Sequence, residues 1–155
     1  METYQTLRAL HGAAVGVFFL AILALAFYGW RSWRRGDAGQ QAVALKRIGL
    51  LGWLLVAGSV LSLPVSGWNL VHQAGFPLGQ TWLLGSACLL LVAAIFWLLF
   101  TRRLWRVRHS VLAAHASGAA LASQATRDLR FGLGFFGVAL LCVLVILGLM
   151  IGKPL

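Results

Sequence analysis

Four apolar stretches, residues 10–30, 48–65, 81–100 and 131–151, fill most of the chain. Each approaches the roughly 20 residues that a helix needs to cross a hydrocarbon core of about 30 Å, and almost no charge interrupts them. The chain therefore reads as an all-α, polytopic membrane protein, a four-transmembrane-helix bundle. With lipid as the solvent, buried apolar residues lose their usual meaning. Each polar side chain among them becomes costly, and hence informative.

Hydrophobic residues make up 61% of the chain, mean hydropathy is +0.88 and only 10% of residues are charged. Such values lie far from the averages of water-soluble domains. Four spans and two loops of moderate length use up 155 residues, so residues 1–155 form one domain with no room for a catalytic ectodomain. The expected helices run over about 8–30, 44–74, 78–116 and 129–151. A net charge of +10 would suggest nucleic acid in a soluble protein. Here the cations flank the spans and face the lipid bilayer, so no nucleic-acid partner is expected.

Charge placement sets the expected orientation. Arg31, Arg34, Arg35, Lys46 and Arg47 fall in the first loop, and Arg102, Arg103, Arg106, Arg108, Arg127 and Arg130 in the third, 11 of the 13 basic residues. The second loop has no Lys, Arg, Asp or Glu. The positive-inside rule then puts both loops in the cytoplasm and both termini outside, in the periplasm, for a multi-pass protein of a bacterial inner (cytoplasmic) membrane. The first span is too long, and too strongly stopped by arginines, for a cleavable signal.

Helix ends carry further signals. No breaker follows Pro64 until Gly75 and Pro77, which predicts a second helix kinked near Pro64 with Trp68 and His72 on one face of its last turns. Leu104, Trp105, Val107, Val111 and Leu112 alternate with arginines beyond the third span. That amphipathic extension is expected to lie on the inner leaflet or project into the cytoplasm. Trp30, Trp33, Trp105, Trp68 and Trp82 fit two interfacial belts. Gly12 with Gly16, and Gly148 with Gly152, form GxxxG pairs at similar depth, which predicts close approach of the first and fourth helices.

The histidines separate by side. His109 and His115 belong to the basic segment and read as solvated, whereas His11 and His72 both belong to the outer side, on different helices. Two imidazoles at similar depth are what an axially ligated haem iron or an imidazole metal site requires. Trp68, Asn69 and Gln73, with Ser66, add hydrogen-bonding groups for propionates or a quinone headgroup. Cys88 and Cys142 read as apolar fillers that lie near enough in depth to keep a soft-metal site in view. Met1 and Met150 are the only methionines, which leaves no thioether ladder for copper. All three acids, Glu2, Asp37 and Asp128, lie outside the apolar stretches, so a carboxylate proton relay has no residue to run on. There is no Ser-His-Asp set, H-E-x-x-H, C-x-x-C or phosphate loop. An enzyme built this way would be a haem-dependent membrane oxidoreductase.

The stretch LPVSGWNLVHQAGFPLGQTWLLGS at residues 63–86, the Leu10-His11 opening of the first helix and the closing LMIGKP at residues 149–154 resemble a bacterial integral-membrane family of unknown function. That family is distantly similar to copper-resistance D-like proteins and to haem-containing membrane protoporphyrinogen oxidases. The resemblance covers all four spans and implies a helical bundle in the inner membrane. It makes His11 the match to the first-helix histidine of the haem-binding relatives. Where the family has Asp-Trp and a Thr-Thr-Pro stretch in the second helix, this chain has Gly52-Trp53 and Val56-Ala57-Gly58.

Three functions follow as expectations. The first is binding of b-type haem or a quinone at the outer side in electron transfer, with His11 and His72 as iron ligands and a periplasmic redox partner. The second is an accessory or scaffold subunit of a larger membrane complex or homo-oligomer. The third is copper handling.

Overall fold

The computed structural model describes residues 2–35, 37–119 and 123–152; Lys153 and Pro154 of the closing motif lie outside them. Among the described residues the chain is all-helical: α1 is Glu2–Arg34, α2 Ala38–Gln73, α3 Thr81–Ser117 and α4 Ser123–Gly152. All four are long and apolar enough to cross a membrane. Their 30 to 37 residues correspond to about 45–55 Å of helix, well beyond the hydrocarbon core.

Two helices, α2 and α3, begin or end away from the apolar stretches because capping, not hydropathy, decides where they stop. Asp37 is the N-cap of α2 and its carboxylate accepts the Gly39 N–H at 3.0 Å, so α2 starts before its apolar run. Gly118 closes α3 in the left-handed region at φ 63°, where a Cβ would be strained. Between α2 and α3, Gly75 takes φ 71° and Phe76 N–H reaches the Val71 carbonyl at 3.1 Å, which turns the chain in a few residues. α2 runs through Pro64 without a break, although proline leaves the carbonyl one turn earlier without its helical donor.

Each helix packs on its neighbour in sequence, α1 on α2, α2 on α3 and α3 on α4, and α1 does not pack on α4. A glycine marks each interface. A Cβ on Gly29 would come within 2.9 Å of Ile48, on Gly52 within 3.1 Å of the Trp97 ring, and on Gly132 within 3.3 Å of the Arg103 Cβ. All three lie toward the arginine-bearing end. There Ala42 and Leu45 of α2 pack with Phe100, Leu104, Val107 and Val111 of α3, and Trp33, Leu129 and Phe136 close around them. The amphipathic extension of α3 thus covers its apolar face with α2 rather than lying flat on lipid. Arg103 and the buried Asp128 join α3 to α4 in the one ion pair among the described residues, and the guanidinium also sits over the Phe131 ring.

The expected contact between the first and fourth helices is not made. Among the described residues, nothing outside its own helix backbone lies within 4 Å of a Cβ placed on Gly12, Gly16, Gly148 or Gly152. Lipid is as apolar as the helix faces, so no hydrophobic force closes the row into a ring. Neighbours joined by short loops pack, and the two flanking helices stay apart.

Two outcomes test this packing. Asp128→Asn leaves Arg103 without its counter-charge and should cost about 1–3 kcal/mol in detergent unfolding, with the swapped pair Arg103→Asp, Asp128→Arg recovering roughly half. Gly132→Leu should lower the melting temperature by forcing α3 from α4, whereas Gly148→Leu, in open space, should leave it unchanged.

Candidate functional site

With α1 and α4 apart, the four helices line a cleft of about 460 Å³. His11, Val15, Phe18 and Ile22 supply its α1 wall; Val56, Leu63, Pro64 and Trp68 its α2 wall. On α3 the lining runs from Leu83 to Trp97 and on α4 from Phe136 to Met150. Either stretch of 15 residues extends about 21 Å from its first to its last residue, so the cleft is long, apolar and open along the α1–α4 side.

Its polar groups are few. Ser59 and Ser86 donate back to the carbonyls of Leu55 and Trp82, each at 2.7 Å, and so are satisfied within their own helices. The indole N–H of Trp97 is buried without a hydrogen-bond partner among the described residues. His11 is half-buried, and its Nδ1 lies 2.7 Å from Ser66 Oγ across the α1–α2 interface.

The serine fixes the tautomer of the imidazole. Ser66 Oγ also lies 2.7 Å from the Ser62 carbonyl, and a carbonyl only accepts, so the single hydroxyl proton is directed there. The serine oxygen must then accept from His11, which places a proton on Nδ1 and leaves Nε2 with a free lone pair. No hydrogen bond to Nε2 is formed within the described residues. The Gly67 backbone, whose Cβ would sit 3.7 Å from His11 Cε1, gives the ring room on that side.

The other expected site residues fall elsewhere. Trp68 lines the cleft, but His72 does not: it is exposed, stacks on Trp68 with centroids 4.7 Å apart and has Nδ1 3.3 Å from the Trp68 carbonyl. Asn69 donates to the Val65 carbonyl at 2.8 Å on an exposed face, and Gln73 is exposed. Six residues separate His72 from Ser66, so the two point to different faces of α2. His11 and His72 are not brought to one centre through the cleft. Cys88 is exposed and Cys142 buried, both free, and no three of His, Cys, Asp and Glu gather as a metal site among the described residues. Trp97 escapes a reading by sequence, since a tryptophan inside an apolar span looks like filler.

No curated protein and no solved structure matches the chain. Residues 5–154, nearly its whole length, match the family described as "Predicted integral membrane protein (DUF2269)", and the chain belongs to that family.

Proposed function

We propose that the chain binds an isoprenoid quinol in the cleft and serves electron transfer to a redox partner. The observation that carries this reading is the His11–Ser66 hydrogen bond, because it leaves Nε2 as an acceptor. A quinol hydroxyl donates; its ring sits beside His11 at one end of the cleft, and its tail follows the roughly 21 Å of apolar lining toward Trp97. The open α1–α4 side admits such a molecule directly from the bilayer. On two-electron oxidation of the quinol to the quinone, one hydroxyl proton passes to Nε2, the other hydroxyl proton to water, and both electrons to the partner protein.

Haem b is the second reading, favoured by one feature. A histidine whose Nδ1–H is held by an oxygen and whose Nε2 is free has the arrangement of an axial iron ligand. His11 would then be a ligand without His72, which lies off the cleft. Against it, no Lys or Arg among the described residues lines the cleft to match two propionates.

By the positive-inside rule we place the arginine-bearing end in the cytoplasm and both termini in the periplasm of a bacterial inner membrane.

Protein purified in mild detergent and extracted for quinone should yield bound quinone that falls at least ten-fold in His11→Ala and is unchanged in His72→Ala. Ser66→Ala should lose about five-fold, the worth of one hydrogen bond of about 1 kcal/mol. A Soret band in place of quinone would move the assignment to haem, and neither in folded protein would refute both. For orientation, alkaline phosphatase fused at Gly79 should be active and at Gly118 inactive; the reverse pattern inverts the topology.

A further inference from the structure

The ion pair between α3 and α4 organises a second feature on the lipid-facing side of that hairpin. Arg103 and Asp128 face each other across the interface. Arg102 and Arg106, at i and i+4, share one flank of α3 beside it. The helices are antiparallel, as the pairings Arg103 with Asp128 and Phe96 with Phe135 require, so they turn in opposite senses when viewed down a common axis. Arg127 and Phe131, at i and i+4 on α4, therefore fall on that same flank. α2 covers the other side of α3 through Leu104, Val107 and Val111, which leaves this flank open.

Three arginines thus share one flank with a neutralised pair. Arg102, Arg106 and Arg127 are exposed, and no ion pair involves any of them among the described residues. Immediately toward the centre of the spans the same groove turns apolar and stays uncovered: Phe131 is 55% exposed, Ile95 57% and Leu99 37%. A cationic cradle next to an open apolar groove matches a molecule with an anionic head and an aliphatic body, set at membrane depth.

We propose that this flank is a binding site for one anionic phospholipid of the leaflet at the arginine-bearing end. Its phosphate is held by Arg102, Arg106 and Arg127, and an acyl chain lies along Ile95, Leu99 and Phe131. The headgroup is drawn by charge and hydrogen bonds that arginine supplies in a planar fork. Asp128 is kept out of competition because Arg103 already occupies it. This site is separate from the cleft and does not depend on what the cleft binds.

Native mass spectrometry of the protein released from mixed phosphatidylglycerol and phosphatidylcholine nanodiscs tests the proposal. Wild type should retain phosphatidylglycerol preferentially, and the triple variant Arg102→Gln, Arg106→Gln, Arg127→Gln should lose that retention roughly ten-fold. The control Arg31→Gln, Arg34→Gln, Arg35→Gln removes equal charge from the same end of the bundle and should keep it. Equal loss in both variants, or no preference in wild type, overturns the site. If the triple variant does not fold, R106Q alone, exposed and outside the ion pair, gives the same reading at smaller size. Excess inorganic phosphate should leave the lipid bound; its displacement would mark a plain anion site and overturn the lipid assignment.

Discussion

Side chains seated directly against the backbone of Gly29, Gly52 and Gly132 govern the rest of this structure. In lipid, helices gain little from hiding apolar side chains from one another, so association depends on contact quality and on the rare polar bond. Each glycine lets one sequential pair of helices meet at the arginine-bearing end, and the Arg103–Asp128 pair fastens the last of these interfaces. Joined neighbour to neighbour but with α1 and α4 apart, the row of four helices leaves a cleft. The candidate site is a by-product of where the small residues stand.

That asymmetry divides the molecule into regions with different physics. At the basic end, Val107 and Val111 are fully enclosed and α3 behaves as the centre of a conventional helical core. Toward the other end, the cleft walls are held apart, and His11 is oriented by one hydrogen bond between neighbouring helices. A site whose geometry depends on a single serine is easily tuned. Threonine at position 66 would keep the hydroxyl, and alanine would release the ring.

Much of the fold was legible from the chain because hydropathy is a direct readout of the solvent each helix meets. The four helices, their all-α character and the turn around Gly75 could be read that way. The partner of each glycine could not. GxxxG at Gly12–Gly16 and Gly148–Gly152 announces a small-residue face but not what approaches it, and both faces meet open space. The useful glycines stood singly, as Gly29, Gly52 and Gly132. At the site, His11 and Ser66 were both visible as outer-side polar residues, yet their pairing depends on the rotation of α1 against α2. The same helical arithmetic that brings Trp68 under His72 turns His72 away from Ser66, and a reading by depth alone overlooks that rotation.

The missing contact between α1 and α4 has a further consequence for how the bilayer and protein share shape. A closed bundle carries its interior with it wherever it goes. Here one wall of the interior is supplied by whatever lipid happens to lie alongside, so chain length and lateral pressure in the membrane set the width of the cleft. The protein's internal volume is in that sense a property of its host membrane, and a thicker or stiffer bilayer would present the same sequence with a different cavity.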